Sequence, residues 1–548
     1  MELVLCILPM VYGKFVVDGW EMMAVIVQKL LKFVFWILAC ITTPLYRLRY
    51  FKKRKRLPPI KSPLLLQSAT KIAQQIRERK VSCVSVIRAY IERCNDVNPI
   101  ITAIVDTRYE SAIQEAKGFD EFLARTEKTT EELAREMPLL GVPVTVKESI
   151  AVKGMCYTVG FKEDVPTKAE EDAEAVSLIR KAGAIILLVS NTPELCLFWE
   201  SNNNVTGCTG NPYDPRKTSG GSSGGEGALS GSAASVVSLV SDIAGSARFP
   251  ALFCGVFGHK PTPNLVAIKG HKPISYDVKW NDFFVMGTIV RYAEDLPLVI
   301  SVMCKTDEGR RRLNQKTPLA NIKFFYTEDR VAEANSINRD MKNVMQKLRA
   351  YLEVTYSVKV QQVHMSDMKY SFNLSAHALL NLDVEEVVQE FGPLNVCALF
   401  VEGLKQLFRV SRYTFAMYGY LMAAYIYRKL PRGFSNLLAE KRVSLKKQFE
   451  DILGDNGVMI YPSFVSAAYY RYETFNNVPN FTYMMLFNVL GLPVTQCPMG
   501  LNANGLPLGL QIVAGTGNDH LSIAMAQEID RIFGGWRQPP CSSGEESI

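Results

Sequence analysis

The chain has 548 residues, of which 48% are hydrophobic and 21% charged, and a formal net charge of +8. That apolar content is ample for a core, and the length alone suggests about three domains. Arg47, Arg49, Lys52, Lys53, Arg54, Lys55 and Arg56 supply seven of the eight net positive charges. The rest is near neutral and offers no basic stripe, which excludes nucleic acid as a partner.

Residues 1–46 are largely apolar. Met22–Tyr46 has the length to span a bilayer, which takes about 20 residues. Lys29 and Lys32 interrupt it, so a helix lying in the interface is the other reading. The order of regions that marks a cleaved signal peptide is absent. The basic cluster follows directly and would attract anionic head groups. By the positive-inside rule it faces the cytoplasm and takes the body of the protein with it. Pro58 and Pro59 mark the boundary, so we assign 1–61 as a membrane anchor with a basic juxtamembrane segment and 62–540 as the main domain.

Ser68–Asn95 reads as two helices, since apolar residues recur there at helical spacing. Ser111–Ala134 also reads as helix. Val142, Val144 and Val146 then alternate with Pro143, Thr145 and Lys147, a strand pattern. Lys147 ends that strand. It is either an ordinary surface lysine or an ionisable group with a shifted pKa. Asp172–Gly183 reads as a helix closed by Gly183, and Ala184–Val189 as a buried strand. The alternation predicts an α/β chain with a mixed sheet. Asn191, Glu194, Asn202, Asn203, Asn204 and Asn211 follow in a polar loop, read mainly as turn and cap chemistry.

Gly220–Pro250 is rich in Gly, Ser and Ala, and its only charges are Glu226, Asp242 and Arg248. A linker has such a composition, but linkers seldom carry an apolar run such as Val236–Val240. Small residues let backbones approach closely and leave amides free for a ligand. Gly220–Gly224 also fits G-x-S-x-G, the nucleophile elbow. None of the five histidines can be assigned to a triad with it, so that match carries little.

No catalytic motif is evident in 305–450. Leu399–Phe434 stands out for nine aromatic residues flanked by Lys405, Arg409, Arg412, Arg428, Lys429 and Arg432. Such a segment is either a buried helical hairpin or a cap that dips into a membrane interface. The twelve cysteines include no C-x-x-C pair, and no H-E-x-x-H or P-loop pattern occurs, so no metal, nucleotide or other cofactor is implied. Sequons stand at Asn204, Asn373 and Asn480; in a cytoplasmic body they stay unmodified.

Two segments carry a resemblance. One is Gly220-Gly221-Ser222-Ser223-Gly224-Gly225 with Asp242-Ile243-Ala244-Gly245-Ser246, Arg248 and Pro250. The other is Gly141-Val142-Pro143-Val144-Thr145-Val146-Lys147-Glu148. In that order they resemble the amidase signature family. Asn488–Thr495 and Gly505–Gln511 resemble its closing segments, in particular those of its fatty-acid amide hydrolase group. The resemblance covers about residues 60–537. It implies an amidase signature fold, a large mixed twisted sheet surrounded by helices. It also implies a Ser-Ser-Lys triad with Lys147 as base, Ser222 as bridging serine and Ser246 as nucleophile. The backbone amides of Ile243, Ala244, Gly245 and Ser246 would form the oxyanion hole. Asp242 and Arg248 would hold the loop by pairing with it or with each other. Ser230, Val240, Ala244 and Ala247 depart from the family pattern without removing a catalytic group.

The chemistry fits these residue types. An amide is a poor electrophile, so the attacking hydroxyl must lose its proton as it attacks, and only a neutral lysine can take it. The resemblance therefore implies a membrane-associated serine hydrolase cleaving fatty-acid primary amides or N-acyl ethanolamines to fatty acid and amine. Its partners would be a lipophilic amide and a lipid membrane, and a homodimer is left open. In fatty-acid amide hydrolases a region related to 399–434 forms a membrane-dipping cap. An amidase or esterase for small polar substrates, and a non-catalytic membrane binding protein with this fold, are the alternatives. The amidotransferase subunit of the same family fits less well, given the anchor and the near-neutral body.

Overall fold

The computed structural model describes residues 32–50, 54–329 and 331–542, together with Gly19, Met22, Ile26, Lys29 and Leu30. The strands are β1 (Ile104–Thr107), β2 (Pro143–Lys147), β3 (Ile185–Ser190), β4 (Asn202–Asn203), β5 (Gly207–Cys208), β6 (Val237–Asp242) and β7 (Phe257–Lys260). They continue with β8 (Val285–Val290), β9 (Lys323–Tyr326), β10 (Val360–Gln362), β11 (Gly457–Pro462), β12 (Val494–Leu501) and β13 (Pro507–Ala514). Eleven of them form one sheet in the order β1-β3-β2-β6-β8-β7-β12-β13-β11-β9-β10, and β4-β5 is a separate pair. One sheet thus collects strands from residue 104 to residue 514, and the three units suggested by length are not seen.

The sheet is mixed, as the alternation of elements predicts. β2 runs parallel to both β3 and β6, whereas β6 pairs antiparallel with β8. β2, β3, β6 and β8 are buried along their whole length. Helices cover both faces of such strands, which explains the unbroken apolar run Ile185–Val189. The parallel register pairs Lys147 with Ser190 and Val146 with Leu239. The carboxyl ends of β2, β3 and β6 therefore open at one edge, where ligands of α/β sheets bind.

Ser68–Asn95 is two helices, Ala69–Arg77 and Cys83–Ile101. Ser111–Ala134 differs from its prediction as one helix. It breaks into Tyr109–Arg125 and Thr130–Glu136, because Thr129 and Glu132 form a capping box that starts a new helix.

The predicted anchor falls partly on residues outside those described. Residues 32–49 are helical. No single described helix is long and apolar enough to cross a membrane. The bent pair Glu385–Phe391 and Val396–Leu407, turned by 87°, has the length and composition to do so. These helices and Phe415–Arg428 share a small core of their own, with Leu399, Tyr413, Met417 and Leu421 packed on Val159, Phe161 and Leu195. Phe400, Leu407, Phe408 and Val410 remain exposed. The 399–434 segment is thus neither wholly buried nor wholly free. Of the sequons, Asn373 and Asn480 are buried. Asn373 Oδ1 accepts from the Tyr427 hydroxyl, and Asn480 Oδ1 accepts from the Asn335 amide.

Candidate active site

The loop after β6 is shaped by one carboxylate. Asp242 accepts from the amides of Gly245 at 2.7 Å and Ala247 at 3.1 Å. It also receives two bonds from Arg248, Nε to Oδ2 at 3.0 Å and Nη2 to Oδ1 at 3.1 Å. Both side chains are fully buried. Arg248 also donates to Gln511 at 2.7 Å and Asn488 at 2.6 Å. Burial pushes the Asp242 carboxyl up, but the Arg248 guanidinium, Lys260 and the Gly245 amide together hold its pKa below the ordinary value. Asp242 and Arg248 pair both with the loop and with each other.

Gly245 has a φ of +99°, and a Cβ there would meet Met484 Cβ at 2.4 Å. Only glycine suits both constraints. Ala244 has no positive φ, so the position tolerates Ala; its carbonyl accepts from Trp199 Nε1 at 2.9 Å. The Gly245 amide departs from its expected place in the oxyanion hole, because Asp242 already accepts its hydrogen. Among the described residues none accepts from the amides of Ile243, Ala244 or Ser246.

This geometry brings the three side chains predicted from the two motifs together. Lys147 Nζ lies 2.6 Å from Ser222 Oγ, and Ser222 Oγ lies 2.9 Å from Ser246 Oγ. Ser222 stands just before the helix Gly224–Gly231, and Ser246 just before the helix Arg248–Phe253. The backbone of the first is locked by Ser201, which donates to the Ser222 carbonyl at 3.0 Å and accepts from the Gly224 amide at 2.8 Å. A Cβ on Gly225 would meet the Asn191 amide nitrogen at 2.6 Å, so small residues here serve close approach. Lys147 is completely buried. Burial, the largest cause, lowers its pKa, and the neighbouring Cys196 acts in the other direction.

Two residues escaped the sequence reading. Lys147 Nζ is also 2.9 Å from Ser241 Oγ, and His271 Nε2 is 2.9 Å from the same hydroxyl. Extending the β2–β6 register sets Val240 opposite Lys147, so pairing alone does not point to Ser241. His271 carries no local signal. Behind the lysine, Glu226 reaches the hydroxyl of Thr145, itself 2.8 Å from Ser235. Burial raises the Glu226 carboxyl to about 7. Ser230 joins the same cluster through Ser238 at 3.0 Å. Val240 and Ala247 lie in a separate apolar cluster. Of the departures from the signature, Ser230, Val240 and Ala247 thus lie behind it, while Ala244 lines the cavity. The polar loop 191–211 is scaffold as well as turn: Asn203 Nδ2 donates to Asn191 Oδ1 at 2.7 Å, and Glu194 caps the helix Phe415–Arg428 through Thr414.

Ser222, Ser241 and Ser246 open into a cavity of about 950 Å³. Leu195, Trp199, Phe284, Phe415, Tyr420 and Met485 are among the side chains that make its wall mainly apolar.

The amidase family profile matches residues 85–522. Human fatty-acid amide hydrolase 2 is 40% identical over 489 residues, covering 88% of this chain and 92% of that protein. Fatty-acid amide hydrolase 2-A of Danio rerio is 37% identical over 523 residues, covering 93% and 97%. A solved structure of fatty acid amide hydrolase aligns with a TM-score of 0.69 at 19% identity, over 88% of this chain and 87% of that one. At that identity it speaks for the fold alone. With most of the chain matched and relatives aligned over nearly their full length, the chain belongs to the amidase signature family and is an amidohydrolase.

Proposed function

We propose that the protein is a membrane-associated serine hydrolase that cleaves fatty-acid amides, primary amides or N-acyl ethanolamines, to fatty acid and amine. The observation that carries this is the unbroken line Lys147–Ser222–Ser246 opening into a large apolar cavity. The names and identities of the relatives support the substrate class.

In this reading Lys147 rests neutral. As Ser246 Oγ attacks the carbonyl carbon, its proton passes to Ser222 and the Ser222 proton passes to Lys147. The oxyanion sits against the amides of Ile243, Ala244 and Ser246, donors that need no reorganisation; losing one such donor typically costs about 10²–10³ in rate. The proton returns along the same line to the leaving nitrogen, the C–N bond breaks, and the amine departs. Water then attacks the acyl-enzyme with the same base, releasing the fatty acid and restoring Ser246. Burial of Lys147 lowers its pKa and so favours the neutral form.

Membrane association rests on the outer side of the helix 32–49, where Trp36, Ile41 and Leu48 are exposed, and on Phe400, Leu407 and Phe408 in the cap. An aqueous surface rarely carries such patches. The basic residues after the helix favour the cytoplasmic side for the body.

Labelling with a fluorophosphonate probe tests the reading, followed by hydrolysis of octadecanamide. Labelling that is lost in Ser246→Ala and much reduced in Lys147→Ala, with turnover of the amide, supports it. A folded wild-type protein that takes no label would leave the non-catalytic binding protein standing.

A further inference from the structure

The helix 32–49 does more than face outward. Phe35, Leu38, Thr42, Tyr46 and Arg49 all line the cavity that holds Ser222 and Ser246. Their spacing of three or four residues puts them on one stripe of the helix. Trp36, Ile41, Leu45 and Leu48 occupy the other side and are more than half exposed.

The stripe is fastened to the catalytic body by specific contacts. Asn476 Nδ2 donates to Thr42 Oγ1 at 2.7 Å. The Tyr50 ring stacks on Tyr470 with centroids 5.8 Å apart and planes inclined by 2°. The Arg49 guanidinium lies 5.2 Å from the centre of the Tyr472 ring. A simple tether would need none of these. They set the rotation of the helix over its C-terminal half, with this stripe toward the cavity.

We propose that this helix is a wall of the substrate pocket, and that Phe35 and Leu38 help set the preferred acyl-chain length. The inference rests on the lipid-amide reading for its substrate class. A wall contributed by these side chains touches the chain's methylenes, and each methylene buried or lost changes binding about fourfold. The segment that reads in sequence as an anchor is then also a determinant of specificity. A shorter acyl group that does not reach the helix would be indifferent to it.

The test uses the full-length protein in one detergent and compares kcat/KM for octadecanamide and octanamide. Leu38→Trp should fill the far part of the pocket and lower the octadecanamide-to-octanamide ratio about tenfold. Leu45→Trp makes the same change on the outward side and should keep the wild-type ratio. Fluorophosphonate labelling reports whether each variant still forms the site. A readout that needs no turnover is photocrosslinking of Ser246→Ala with a diazirine-bearing hexadecanamide. Crosslinks on 32–49 are expected. Crosslinks absent from 32–49, or a wild-type ratio in a labelled Leu38→Trp, would overturn the inference. If the wild type neither labels nor hydrolyses either amide, the hydrolase reading falls, while the crosslinking result still decides whether the helix walls the cavity.

Discussion

Ser241 Oγ lies 2.9 Å from His271 Nε2, and that bond runs in one direction. His271 Nδ1 is 3.0 Å from the Pro273 carbonyl oxygen, which can only accept, so Nδ1 carries the hydrogen. Nε2 is then the acceptor and Ser241 the donor. Burial pushes the imidazole pKa down to about 3, and any charge on Lys147 would push the same way, so it stays neutral. With its hydrogen committed to His271, Ser241 accepts from Lys147. In the neutral form proposed for Lys147, its lone pair would remain for Ser222, 2.6 Å away. In the proposed mechanism His271 and Ser241 position the lysine and do not themselves react.

Ser241→Ala should therefore lower kcat with little change in KM, by about tenfold, and weaken the pH dependence less than Lys147→Ala does. His271→Leu should do the same and also destabilise, because it leaves the Ser241 hydroxyl without its buried acceptor, a loss of about 1–3 kcal/mol. His271→Gln, which can accept at the same place, should recover part of the rate. Steady-state kinetics over a pH series and thermal melts read these outcomes. Equal KM effects in all three variants would argue against positioning.

The pH profile of kcat/KM should rise with pH on its acid limb. In the proposed mechanism the base, Lys147, must be neutral to act, and burial sets its pKa below the usual 10.5. Its sign in stability is fixed too. The unfolded chain holds the lysine proton over the window between the lowered and the ordinary pKa, so the cost of burying Lys147 falls as pH rises through that window. Lys147→Met should remove both the acid limb and that slope, which paired activity and denaturation series would reveal.

Glu226 has the opposite sense. Burial raises its carboxyl from 4.5 to about 7. The folded state holds the extra proton between those values, so its contribution is complete below about 4.5 and is lost as pH passes about 7. Glu226→Gln should melt increasingly above the wild type as the pH is taken from 5 to 8 (chosen as roughly that window). A difference in melting temperature that stays flat across the series would show that Glu226 does not titrate there.

Removing Arg248 alone leaves a buried carboxylate uncompensated, which costs about 3–5 kcal/mol. Arg248→Met should lower the melting temperature and abolish labelling of Ser246. Asp242→Asn combined with Arg248→Met should melt higher than Arg248→Met alone, since the charge is gone and an acceptor for the Gly245 amide remains. A double variant that melts lower than the single one would contradict the account of this loop.

Gly245→Ala places a methyl group 2.4 Å from Met484 Cβ at a φ of +99°. Labelling of Ser246 should be lost. Met484→Ala should not restore it, because the clash is with Cβ, which alanine keeps. Restoration by Met484→Ala would mean that the loop yields more easily than its hydrogen bonds suggest.

What is local and what is chemically marked can be read from the chain alone. Pro143–Lys147 and Ile185–Ser190 are legible because alternation and apolar runs express burial in the neighbouring residues themselves. Lys147, Ser222 and Ser246 are legible because two motifs of unusual composition carry them. Tertiary structure decided the rest. Asn488 meets Arg248 across 240 positions, and nothing near either residue announces the other. His271 acquires its role from a strand end thirty residues earlier in the chain. The Gly245 amide is diverted by a carboxylate whose aim depends on Arg248. An apolar helix shows the same composition whether it faces lipid or a cavity, and only the docking of Thr42 and Tyr50 on the body turns one stripe of 32–49 into a pocket wall. Periodicity reports burial, while the identity of what does the burying is set by contacts distant in sequence.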